Sequence, residues 1–72
     1  MTEFNHEEQV SRQQAAERLA DIAFALTAGG TLELRTAAEH VRVPVAEGVR
    51  LKRESRSNGE HIEVEVVLSW FA

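Results

Sequence analysis

Cysteine is absent from the 72 residues, and so is tyrosine. Without cysteine there is no disulfide, no thiolate zinc site and no cysteine nucleophile. A thiol-free chain suits a reducing compartment, so the cytoplasm is the expected location. No run approaches the ~18 apolar residues of a membrane-crossing helix, so no membrane association is expected. Met1 to Val10 is polar and acidic, which predicts no signal peptide there. The one glycine pair, Gly29-Gly30, follows a helical segment. Loops that cradle phosphates precede a helix, so a nucleotide loop is not expected.

Length sets the next limit. Seventy-two residues predict a single domain spanning 1–72. A chain of this size buries only about 60% of the surface its unfolded form exposes. Domains below ~80 residues commonly need a disulfide, a metal, a partner subunit or very regular packing. With 43% hydrophobic residues the composition is globular.

The formal charge is −4, which argues against broad nucleic-acid affinity unless the basic residues cluster. They do: Arg50, Lys52, Arg53 and Arg56 lie together with Glu54 as the only acid among them. That stretch carries +3, against −7 for the remainder.

Ser11 opens the clearest element. Ser11 and Gln14 have the spacing of a capping box, in which each side chain satisfies the other residue's amide. Arg12 to Ala28 is rich in alanine and leucine with no glycine or proline, which predicts a helix over 12–28. Ala15, Leu19, Ile22, Ala23 and Leu26 fall on one stripe, and Phe24 lies opposite. Gly29-Gly30 ends the helix, because glycine accepts the backbone conformation a C-terminal cap requires.

Alternation predicts strands over 31–35 and 41–45, with a turn at Thr36 to His40. Pro44 lacks an amide donor and marks a strand edge or end. A short strand over 2–6, anchored by Phe4, is also expected. The last two strands, 49–56 and 61–70, flank Asn58-Gly59, a strong hairpin signal. With Asn58-Gly59 as a type I′ loop, Ser57 faces Glu60, Leu51 faces Val66, Val49 faces Leu68, and Lys52 faces Glu65. The reading is α+β: β-α-β-β-β-β, one helix packed on one face of an antiparallel sheet and closed by a C-terminal β-hairpin.

These residues resemble the amphi-Trp domain, named for an amphipathic final strand ending in tryptophan. The likeness is carried by Ile62-Glu63-Val64-Glu65-Val66-Val67-Leu68-Ser69-Trp70 and by Ser11-Arg12-Gln13-Gln14-Ala15-Ala16. It continues through Leu26-Thr27-Ala28-Gly29, Val41-Arg42-Val43-Pro44 and Val49-Arg50-Leu51-Lys52-Arg53-Glu54. The resemblance implies a small stand-alone prokaryotic (bacterial) domain. It brings no established activity, cofactor or catalytic residue. Two positions depart from the family pattern. Phe24 stands where a charged residue is usual, and Phe71 where acidic residues are usual.

Trp70 shares the inward face with Ile62, Val64, Val66 and Leu68, which predicts a core residue whose indole N–H finds one acceptor. His6, His40 and His61 lack the spacing of a helical metal site and read as surface residues. No metal, cofactor or catalytic residue is expected. Ser55, Ser57 and Ser69 have no positioned base in the sequence, and Ser11 is explained by capping. Glu33, Glu63 and Glu65 alternate with apolar residues, as on the wet face of a strand.

The leading expectation is a non-catalytic interaction or structural module, with a protein partner or a second copy of itself. Phe24, Val67 and Phe71 are its candidate contact residues. The first alternative is a weak nucleic-acid binder using Arg50, Lys52, Arg53 and Arg56. Opposed glutamates weaken it, since Arg50 and Lys52 face outward while Arg53 falls on the inward face. The second is a small-ligand-binding domain, disfavoured because so short a chain can scarcely line a ~300 Å³ pocket and keep a core.

Overall fold

The computed structural model describes residues 3–72. Its order is α1 (Arg12–Ala28), β1 (Thr31–Arg35), β2 (His40–Pro44), β3 (Arg50–Asn58) and β4 (His61–Ser69). The fold is α+β, with a C-terminal hairpin, as the alternation predicts.

The capping box closes the start of α1. Ser11 Oγ accepts from the Gln14 amide at 3.0 Å, and Gln14 Oε1 accepts from the Ser11 amide at 3.0 Å. Two amide donors that no helical carbonyl could reach are thereby satisfied. At the other end Gly29 has φ +79°, and its amide donates to Ala25 O. A side chain is disfavoured there, so the helix stops.

β1 and β2 form an antiparallel hairpin with Leu32 opposite Val43 and Leu34 opposite Val41. Thr36 closes its turn: its hydroxyl accepts from the Ala38 and Glu39 amides, and its own amide donates to Glu39 O. α1 packs on β1. Leu32, 7% exposed, is the one buried hydrophobic residue among the described residues.

The strand expected over 2–6 does not form over the described residues Glu3 to His6. Thr2 lies outside the described residues. A single apolar anchor, the half-buried Phe4, gives this segment little reason to add to a sheet. Glu8 instead ties it to the helix through Arg18 at 2.8 Å.

The single sheet is also corrected. Among the described residues β1 pairs only with β2, and β3 only with β4, giving two separate two-stranded sheets. The β3–β4 hairpin packs on neither α1 nor the first hairpin. The helix stripe is covered only in part as a result: Ala15, Ile22 and Leu26 are half-buried, whereas Leu19 and Ala23 are exposed.

The register of β3–β4 differs from the expected one by two residues. Leu51 faces Leu68, Lys52 faces Val67, Arg53 faces Val66, and Asn58 faces His61. Gly59 has φ +64°, while no described non-glycine residue has positive φ. Glycine therefore takes the first central position of a Gly59-Glu60 loop, the type II′ pattern, where type I′ would require positive φ at both positions. An even slip leaves every side chain on its expected face. A Cβ built on Gly59 meets nothing within 4 Å, so the cost of substitution lies in the backbone alone. Gly59→Ala is expected to lose about 1–2 kcal/mol of hairpin stability. Reduced amide protection in β3 and β4 by hydrogen exchange is the measurement; unchanged protection would contradict this turn.

Candidate interaction surface

Directly opposed residues of an antiparallel pair share a face, so the register sorts the hairpin side chains. Lys52, Glu54, Arg56, Glu63, Glu65 and Val67 lie on one face. Leu51, Arg53, Ile62, Val64, Val66 and Leu68 lie on the other, with Ser55 and Ser57.

The first face is charged and internally matched. Lys52 Nζ stands 3.2 Å from Glu54, and Arg56 reaches Glu54, Glu63 and Glu65. Such exposed pairs contribute little individually, on the order of 0–1 kcal/mol. They do, however, match two of the four basic residues; Arg50, opposite Ser69 on the same face, has no ion pair among the described residues. Lys52 and Arg56 are held by glutamates, and Arg53 sits on the opposite face. The four basic residues do not form one patch.

The second face is apolar and uncovered. Ile62 is 75% exposed and Val64 72%, with Leu51 and Val66 more than half exposed. The alternation places these residues in the core, and the structure corrects that. Alternation reports only that they share a face, and no other element among the described residues lies over that face. One local signal does point this way: Arg53, Ser55 and Ser57 stand on the same face, too polar for a strand buried in a monomer core.

Of the three residues singled out from sequence, Phe24 is 75% exposed and Phe71 95%. Val67 is on the charged face, opposite Lys52. The structure does not gather them. Phe24 borders a groove between α1 and β1, whereas Phe71 borders a second one with Gly48, Val49 and Trp70.

The α1–β1 groove is open and has a volume of about 750 Å³. Ile22, Phe24, Ala25 and Leu34 supply apolar lining, and Arg18 and Asp21 stand among them. The groove by Trp70 is also open, about 530 Å³. Both exceed the ~300 Å³ lower end of ligand pockets. They are surface grooves left by a chain with almost no core, rather than enclosed cavities.

Trp70 itself is half-buried. Its indole N–H donates to Pro44 O at 2.9 Å. This bond links the base of the β3–β4 hairpin to β2, so the residue closing the last strand is the tie between the two halves. The single acceptor expected for the indole is Pro44 O.

The Glu33 carboxyl is held below its ordinary pKa. A hydrogen bond from Arg35 lowers its pKa most; desolvation opposes it, and the smaller effects of the charges of Arg42, Arg35 and protonated His40 lower it further. Arg35 Nη2 lies at 2.6 Å and Arg42 Nε at 3.3 Å. A depressed carboxylate pKa stabilises the fold at pH values above the unfolded-state pKa, and that stability is lost as pH falls through the folded one. Arg35→Gln is expected to return the Glu33 pKa upward. The stabilities of the two proteins then differ near neutrality and converge in acid. A carboxyl-carbon NMR titration checks this; an ordinary glutamate pKa in the parent protein would contradict the arrangement.

His6 pairs with Glu8, His61 with Glu63 and His40 with Glu33, all at the surface. Among the described residues no three potential ligands gather at a metal-binding distance. No helix among them is long and apolar enough to cross a membrane.

Comparison with curated proteins and with solved structures finds no significant match. The model of the Amphi-Trp domain matches residues 1–72. Helix cap, edge proline and tryptophan-terminated amphipathic strand thus occur together over the whole length, and the chain belongs to the Amphi-Trp domain family.

Proposed function

We propose that this chain is a non-catalytic interaction module that works as a self-associated assembly, with the Ile62/Val64/Val66 face of the hairpin as its contact surface. A cytoplasmic location accords with the lack of cysteine. The observation that carries the reading is unburied area. The chain exposes 6760 Å². A compact monomer of 8.0 kDa exposes about 4,450 Å². Its radius of gyration is 13.8 Å, against about 11 Å for a compact 72-residue domain.

The excess is about 2,300 Å² per copy. Removing this excess from two copies takes about 4,600 Å² in total, toward the upper end of the roughly 2,000–5,000 Å² that obligate homodimers bury. An isolated two-stranded hairpin is at best marginally stable in water, which gives a second reason for the face to be covered. The non-catalytic reading rests on how the polar groups are spent. Ser11 is a helix cap, and the lowered pKa of Glu33 follows from its ion pairs on an exposed strand. Glutamates match Lys52 and Arg56, and Arg53 lies on the opposite face, which weakens the nucleic-acid alternative.

Sedimentation equilibrium tests the proposal. The parent protein is expected to associate, and Val64→Lys/Val66→Lys to sediment as a monomer that keeps its helical circular dichroism. A parent protein that stays monomeric at the highest attainable concentration would overturn it.

A further inference from the structure

We infer that the hairpin of one copy seats in the α1–β1 groove of a second copy, with β4 along the unpaired edge of β1 and Arg53 opposite Asp21, and that the exchange is reciprocal. This rests on the self-association proposed above and assigns the seat that reading leaves open.

Three observations converge on the groove. The first is the edge. β1 is paired only on the β2 side, and the groove lies between β1 and α1. An unpaired edge presents a row of amide and carbonyl groups that a further strand can satisfy. β4 is suited to it because Ile62, Val64 and Val66 share one face. A strand added beside β1 would turn that face toward α1, as Leu32 and Leu34 do. The five residues of β1 extend about 17 Å, enough to align three successive same-face residues of the nine-residue β4. The resulting order, β2-β1-β4-β3 with the last two from the second copy, is a four-stranded sheet with a helix on one face.

The second is charge. The apolar face of the hairpin carries one cation, Arg53, which makes no ion pair among the described residues. In the groove, Arg18 is paired with Glu8, and Glu33 with Arg35 and Arg42. Asp21 is the groove carboxylate with no ion-pair partner among the described residues. Residues 1–49 hold four basic and eight acidic side chains, whereas residues 50–72 hold four of each, so the net charge of −4 on the body favours the lone cation on the inserted face.

The third is connectivity. The chain's own hairpin is tied at its base to Pro44 O on β2, the strand on the far side of β1 from the groove. The groove stays open to a second chain, and a two-fold arrangement fills both grooves with both hairpins.

Charge reversal in trans is the test. In its own dimer, Arg53→Asp sets two carboxylates against each other across the 53–21 contact. Asp21→Arg sets two guanidinium groups against each other at the same place. Each variant alone is expected to associate at least about tenfold more weakly than the parent. An equimolar mixture of the two is expected to associate at near-parental strength, because every 53–21 contact in the mixed dimer then joins opposite charges. Parental association that neither variant weakens, or weakened variants that the mixture does not rescue, would overturn the seating while leaving self-association standing. A monomeric parent would overturn both. Should a reversal variant fail to fold, cysteines provide a second route, since the chain has none. Ala25→Cys and Val64→Cys chains, mixed and oxidised, are expected to form the mixed disulfide in preference to either homodimer. Its absence would overturn the seating as well.

Discussion

Leu32→Ala is expected to lose about 2–4 kcal/mol of stability. The size of the effect comes from its position. Leu32 is the one buried hydrophobic side chain among the described residues, where the helix meets β1. Truncation removes the transfer free energy of its methyl groups and leaves a cavity that a rigid capped helix cannot fill by collapse. Small domains hold total stabilities near 5 kcal/mol, so such a loss takes most of what is present. Urea unfolding followed by circular dichroism reads it directly. Leu34→Ala, at a half-buried position on the same strand, is the comparison and should cost less. Equal losses at the two positions would show that the contact between α1 and β1 is not centred on Leu32.

Trp70→Ala is expected to have the second large effect, about 2–3 kcal/mol, below the usual range for a fully buried tryptophan because the ring is only half-buried. Two losses combine: the apolar contact of the ring and the indole bond to Pro44 O. Trp70→Phe separates them. It keeps most of the ring and should cost about 1 kcal/mol for the missing hydrogen bond. Because that bond ties the hairpin to β2, the alanine variant should also lose amide protection along β3 and β4 while α1 keeps its own. A variant with uniformly lowered protection would mean that Trp70 supports the whole fold rather than this junction.

The candidate surface is partly legible in the sequence. Phe24 interrupts the polar side of the helix, and it does border the α1–β1 groove. Phe71 follows the tryptophan where the strand pattern gives it no inward place, and it is almost fully exposed. Leu51, Ile62, Val64 and Val66 read as core because a period of two cannot distinguish a face packed by the same chain from a face awaiting another. Arg53, Ser55 and Ser57 on that same face are the signal that separates the two cases. The hairpin register shows the same limit. Asn58-Gly59 locates the turn, but the choice between a loop centred on it and one shifted to Gly59-Glu60 depends on which residue takes positive φ.

What the sequence by itself determined is local: the helix between its serine cap and its glycine stop, the short strands, the alternation of β4 and the closing tryptophan. Each of these is set by propensity, side-chain hydrogen bonding or periodicity within a few residues. Tertiary structure alone decided that the strands form two sheets instead of one, that no strand forms over Glu3 to His6, and that Trp70 joins the halves through Pro44 O. Those outcomes turn on which edges and faces find one another across long separations, where the entropy of closing the chain competes with pairing. Periodicity along one strand carries no information about that competition.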